Sequence, residues 1–124
     1  MQLLLDTHAL IWWLSKDVKL SARAYKEIAN PCNLVFVSAA SAWEIAIKKS
    51  IKKLETPDDL VEQINAKNFQ PLAITIEQAL AVEKLPMHHQ DPFDRILIAQ
   101  AQCLNLTIVT RDRKFNFYDV DLIN

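Results

Sequence analysis

Apolar residues occur in this chain as short unbroken runs separated by longer segments in which they recur at helical spacing. Leu3-Leu4-Leu5, Leu34-Val35-Phe36-Val37 and residues 106–109 are the runs. Each is too short for a helix and lacks the polar alternation of a half-exposed strand, so each predicts a strand buried on both faces. Residues 72–74 predict a further short strand and residues 120–123 an edge strand. Between them lie predicted helices over residues 9–14, 21–29 and 39–53, from Pro57-Asp58-Asp59 to residue 66, from Thr75 to residue 85, and from Asp91-Pro92 to residue 104. Ser21, Ser38 and Thr75 are the expected N-caps, and Asn105 the expected helix stop. Short apolar strands alternating with helices predict an α/β fold of three layers, α/β/α, with a short parallel sheet covered by helices on both faces.

Composition narrows this picture. At 124 residues and 51% apolar, the chain suits one compact domain over residues 1–124, with no linker or repeat. Fourteen basic against fifteen acidic side chains exclude a generally basic sheath for nucleic acid, so any polyanion site must be local. No apolar run approaches the length of a membrane span, and the start lacks a signal-peptide pattern, so no membrane association and a cytoplasmic location are expected. Cys32 and Cys103 have no metal or redox spacing and are expected to be reduced core thiols. Glycine is absent. That excludes every Gly-rich phosphate loop and assigns left-handed backbone positions to Asn30, Asn33, Asn68 and Asn105.

Candidate chemistry lies in acids placed where packing calls for apolar residues. At about 100° per residue, Ala40, Trp43, Ile47 and Ile51 form one stripe of the third helix and Glu44 falls inside it. Lys48, Lys49, Lys52 and Lys53 are then expected on the opposite, solvated side. Asp94 falls inside the Leu97, Ile98, Ala101 and Leu104 stripe of the last helix. Asp6 ends the first strand and Asp112 follows the last buried one, where an open parallel sheet gathers its ligand-binding residues. Glu44 and Asp94, near the starts of their helices, belong to the same edge.

Four converging carboxylates repel one another, and a divalent cation compensates them most simply. All-oxygen donors favour Mg²⁺ or Mn²⁺, the ions of metal-dependent phosphodiester hydrolysis. Each acid also has a purely structural reading. Asp6 or Thr7 can cap the first helix, Glu44 can be a buried acid paired with a nearby lysine, and Asp112 can be a turn residue. Asp91 before Pro92 reads first as an N-cap, with metal ligation the alternative.

The blocks Leu-Leu-Asp-Thr-His-Ala-Leu-Ile-Trp-Trp, Ser-Ala-Ala-Ser-Ala-Trp-Glu-Ile-Ala-Ile-Lys, His-His-Gln-Asp-Pro-Phe-Asp-Arg-Ile-Leu-Ile-Ala-Gln-Ala and Ile-Val-Thr-Arg-Asp together resemble a PIN-domain ribonuclease, and within it the VapC-type toxins of bacterial toxin–antitoxin pairs. The similarity spans essentially the whole chain. It implies a Mg²⁺- or Mn²⁺-dependent endoribonuclease cutting structured RNA, held inactive by a small antitoxin protein and usually a homodimer. By position, the resemblance makes Asp6, Glu44, Asp94 and Asp112 the catalytic, metal-binding acids, with Thr110 a supporting hydroxyl and Asp91 a possible further ligand. The chain departs from the common pattern at Asn105, where many relatives carry glycine.

Arg95, Arg111, Arg113 and Lys114 flank the late acids and are candidates for phosphate contact, or for charge balance. His8, His88 and His89 are candidate proton shuttles without ligand spacing. Two other readings remain at this stage. One is a catalytically silent PIN-fold RNA- or protein-binding module. The other is a phosphatase with Asp6 as nucleophile, disfavoured because the position two residues on is His8.

Overall fold

The computed structural model describes residues 1–56 and 58–124; Pro57, expected at the start of the fourth helix, lies outside them. The elements run β1 (Gln2–Leu5), α1 (Thr7–Ser15), α2 (Ala22–Ala29), β2 (Leu34–Ser38), α3 (Ala39–Ser50), α4 (Leu60–Ala66), β3 (Gln70–Leu72), α5 (Ile76–Ala81), a 3-10 turn Val82–Lys84, α6 (Pro92–Leu104), β4 (Thr107–Val109), a second 3-10 turn Arg113–Phe117 and β5 (Asp121–Ile123). The strands form one sheet in the order β3-β2-β1-β4-β5, with every pairing parallel.

Period-two alternation divides the core between the two faces of this sheet. Leu3 and Leu5 of β1, Val35 and Val37 of β2, and Val109 of β4 pack with Leu10, Ala24, Ile28 and Ile64 from α1, α2 and α4. Leu4 and Ile108 point the other way and pack with Leu97, Ile98 and Ala101 of α6, together with Phe115 and Tyr118. Leu3, Leu4 and Leu5 are each fully buried, so one three-residue run serves both cores. At about 1.5–3 kcal/mol per buried leucine, β1 is the strand the fold can least spare. The expected three-layer α/β/α arrangement is therefore the one formed.

The absence of glycine is met at four helix ends. Lys16, Lys52, Asn68 and Asn105 have positive φ, between 55° and 59°. Each is followed by a residue whose N–H reaches back five positions: Asp17 to Trp12, Lys53 to Lys48, Phe69 to Ile64 and Leu106 to Ala101. These are Schellman closures, which satisfy the last free carbonyls of α1, α3, α4 and α6. Asn68 and Asn105 match expectation; Asn30 and Asn33 do not. Asn30 has φ −70° and ψ 116°, because the ring of Pro31 disfavours helical and left-handed geometry in the residue before it. The same closure at Lys52 stops α3 at Ser50, short of the expected residue 53.

Other expectations are corrected. Cys32 and Cys103 are both exposed and are not core thiols. The third strand occupies residues 70–72 rather than 72–74, and the fifth helix ends at Ala81 before giving way to its 3-10 turn. Ser21, Ser38 and Thr75 cap their helices as expected, and Thr75 with Gln78 completes a reciprocal capping box. Among the described residues, no helix is long and apolar enough to cross a membrane.

The strand order reverses direction at β1. The chain builds outward through β2 and β3, then returns to lay β4 and β5 on the other side. Open parallel sheets form a crevice at such a reversal, beyond the carboxyl ends of the strands. Asp6 follows β1 there, and Thr110 to Asp112 follow β4.

Candidate metal centre

Asp6 is held by the ends of both strands that flank the crevice. Its backbone N–H donates to Val109 O at 3.1 Å, while its Oδ1 accepts the N–H of Ala9 at 2.8 Å, so it caps α1 as one structural reading proposed. Capping engages one carboxylate oxygen. Burial pushes the Asp6 carboxyl above the ordinary range; a hydrogen bond from Thr110, the Ala9 N–H and nearby His8 draw it back, and the charge of Asp112 raises it further. Thr110 thus touches two of the acids, since its Oγ1 also accepts the N–H of Asp112 at 3.0 Å.

Glu44 is buried, as its place on α3 predicts, although the buried face is not the expected stripe. Ala40, Ser41, Glu44 and Ile45 face inward, whereas Trp43, Ile47 and Ile51 are exposed. The side chain is satisfied within the protein. Thr7 donates to Oε1 at 2.6 Å, and Lys48 Nζ lies 2.9 Å from Oε2. Lys48 thus joins the acidic side rather than the opposite face, one turn along from Glu44.

Asp94 lies in the first turn of α6, opened by Asp91, whose Oδ1 accepts from the N–H groups of Phe93 at 2.8 Å and Asp94 at 3.2 Å. The capping role read for Asp91 is the one its side chain performs. Asp94 carries the largest perturbation of the site: burial, then the charges of Asp91, Asp6, Glu44 and Asp112, push its carboxyl up to about 8. Acids from β1, α3, α6 and the turn after β4 are therefore near enough for Asp94 to feel all of them.

Asp112 caps the 3-10 turn after β4, with Oδ1 accepting from Lys114 N at 2.9 Å. Its Oδ2 lies 3.3 Å from His89 Nε2, and the same nitrogen lies 2.8 Å from Asp94 Oδ2. Ligand atoms of His89, Asp94 and Asp112 all fall within 4.8 Å of one another, the one such group among the described residues. Asp6 and Glu44 stand around this triplet rather than inside it. Sequence reasoning placed His89 only among three candidate shuttles. No periodicity singles it out, since its position depends on the loop ahead of α6.

The basic candidates separate. Arg95 is buried, and its guanidinium donates to the carbonyls of Val82, Leu85, Pro86 and His89. It clamps the loop before α6, which corrects the expectation of phosphate contact. Arg111 is exposed and donates to Lys19 O at 2.6 Å; Arg113 and Lys114 are exposed beside Asp112.

A divalent cation suits these donors. Burial and the charges of four other acids all act on Asp94, while Lys48 lies against Glu44, so a cation beside Asp94 would offset charge that the protein leaves in place. The donors are mostly carboxylate oxygens, which match Mg²⁺ or Mn²⁺.

Comparison with known proteins bears on the family and the fold. The profile of the PIN domain family matches residues 3–121. Solved structures similar to this chain include VapBC2 from Rickettsia felis bound to a promoter DNA fragment, with TM-score 0.74 and 15% identity over 100% of this chain and 98% of that one. VapBC-1 from nontypeable Haemophilus influenzae gives 0.69 and 17% over 100% and 98%. VapBC-5 from Mycobacterium tuberculosis, of the VapBC family of toxin–antitoxin systems, gives 0.62 and 19% over 99% and 98%. At these identities the likeness is one of fold. No curated protein sequence matches.

Proposed function

The chain belongs to the PIN domain family, and from that premise we propose that it is a divalent-metal-dependent endoribonuclease, the toxin of a bacterial toxin–antitoxin pair, hydrolysing RNA phosphodiester bonds. The observation that carries this reading is the convergence of acids from β1, α3, α6 and the turn after β4, with ligand atoms of His89, Asp94 and Asp112 within 4.8 Å of one another and Asp6 and Glu44 close enough for their charges to act on Asp94. A fold that gathers acids from four separate elements at a sheet's reversal point accepts that cost in return for binding a cation.

Asp6, Glu44, Asp94 and Asp112 would hold Mg²⁺ or Mn²⁺. When bound, such an ion supplies Lewis acidity toward a phosphate and makes water a better nucleophile. The protein's own contribution is to fix the carboxylates. The cap at Ala9 and the Thr110 hydroxyl hold Asp6, Thr7 and Lys48 hold Glu44, and His89 holds Asp94. Arg113 and Lys114, exposed beside Asp112, would meet the RNA backbone, with Arg111 next to them.

The similar structures are toxin–antitoxin assemblies, which supports a small antitoxin protein as partner. A homodimer acting in the cytoplasm completes the reading. Its test is cleavage of RNA by the purified protein. Activity should require Mg²⁺ or Mn²⁺, stop with EDTA and leave 5′-phosphate ends. Cleavage that persists in EDTA and leaves 2′,3′-cyclic ends would refute it, and absence of both cleavage and ion binding would favour a silent binding module.

A further inference from the structure

Resting on the reading of the acid cluster as a divalent-ion site, we propose that His89 is a positioning residue of that site. Its Nε2–H donates to Asp94, with Asp112 beside it, and sets the Asp94 carboxylate for the ion without itself becoming a ligand.

The imidazole is built in. Its residue is 5% exposed, and its ring packs edge-on against Phe115 with centroids 5.7 Å apart at 81°. Its backbone is fixed as well. The N–H of His89 donates to Tyr118 Oη at 2.8 Å, Tyr118 Oη donates to Pro86 O at 2.7 Å, and Arg95 donates to His89 O at 3.1 Å. Tyr118 and Arg95 thus hold the loop that carries the ring.

The hydrogen bonds of the ring decide between ligand and positioner. Asp91 N–H donates to Nδ1 at 3.4 Å, so Nδ1 presents its lone pair and the ring proton sits on Nε2. That proton faces Asp94 Oδ2 at 2.8 Å and Asp112 Oδ2 at 3.3 Å. For Nε2 to bind a cation, the proton would have to move to Nδ1, setting two N–H donors against each other and leaving the Asp91 amide without its acceptor. Asp94 is on α6 and Asp112 follows β4, and the imidazole nitrogen lies beside both carboxylates. The imidazole takes Oδ2 of Asp94, and Asp94 Oδ1 receives no hydrogen bond among the described residues. It is the oxygen left for the ion. Orientation of a ligand by a buried outer donor has an established effect on affinity, about 10–100-fold.

The test is calorimetric titration of the full chain with Mn²⁺, Mg²⁺ and Co²⁺. His89→Phe keeps a ring against Phe115 but removes the donor, and it should weaken all three ions by a similar factor of about 10–100 with little change in melting temperature. His89→Gln, which retains an N–H, should recover part of that loss. His89→Met, also without a donor, replaces the phenylalanine variant if that one fails to fold. Parent-like or tighter binding by the donor-less variant overturns this proposal alone. A loss far larger for Co²⁺ than for Mg²⁺ also overturns it, because that selectivity marks a departed nitrogen ligand. A parent chain that binds none of the three ions refutes the metal-site reading itself, together with this proposal.

Discussion

Glu44 and Asp94 face the same crevice from two helices, yet their surroundings differ. Glu44 has a lysine at 2.9 Å and a threonine hydroxyl at 2.6 Å, so the α3 side of the site is compensated by the protein. Asp94 has one imidazole N–H, a capping aspartate three residues before it, and the charges of Asp6, Glu44 and Asp112 around it. The contrast locates the acid that the protein itself leaves least compensated. It is the side formed by α6 and the turn after β4 that is left electrostatically incomplete.

The sharpest way to break this comparison is Asp94→Asn. Cleavage should fall by about 100-fold or more, since both the ligand and the charge are removed. In EDTA the same variant should melt roughly 5 °C higher than the parent, because a neutral amide relieves the repulsion. Loss of folding instead would make Asp94 structural.

The next effect is on pH. The folded-state carboxyl of Asp94 lies near 8, far above its ordinary 3.8, so its favourable contribution is complete below about pH 4 and disappears as pH rises through 8. Metal-free protein should therefore melt lower at pH 9 than at pH 6. Added Mn²⁺ or Asp94→Asn should remove most of that difference, and a flat profile in the parent would show the acids to be uncoupled.

A smaller effect is expected on the compensated side. Lys48→Met should cost about 1 kcal/mol in the absence of metal, as the lysine is partly exposed, and Mn²⁺ should restore more stability to this variant than to the parent. Equal restoration in both would mean that Lys48 does not substitute for cation charge. Smallest of all, Arg113→Ala with Lys114→Ala should raise KM for RNA about two- to fivefold at unchanged kcat and flatten its salt dependence. A fall in kcat would place these side chains in the chemistry instead.

Much of the fold was legible because it is written in local patterns. Three apolar runs too short to be helices, caps at Ser21, Ser38 and Thr75, and Asp91-Pro92 at a helix start are properties of a few adjacent residues, and each appears where expected. The burial of Glu44 was legible too, but the stripe used to argue it was rotated: Trp43 and Ile47 are apolar yet exposed, while Ser41 is polar yet buried. Hydrophobicity does not say which side of a helix the sheet will cover. The pairing of Glu44 with a nearby lysine was among the readings offered, and Lys48, four residues beyond it, is that lysine. Arg95 could not, because the carbonyls that engage it belong to residues 82–89, a loop with no regular pattern.

By itself the sequence determined the alternation of strands and helices and the presence of acids just past strand ends and inside helical faces. These follow from backbone geometry and from the period of apolar residues, which are short-range. Only the tertiary structure decided which acids share a field, which one is neutralised by its own helix, and that Asp94 and Asp112 both meet the imidazole of His89. Those outcomes depend on through-space distances between segments far apart in the chain, and electrostatic energy follows that separation rather than position along the sequence.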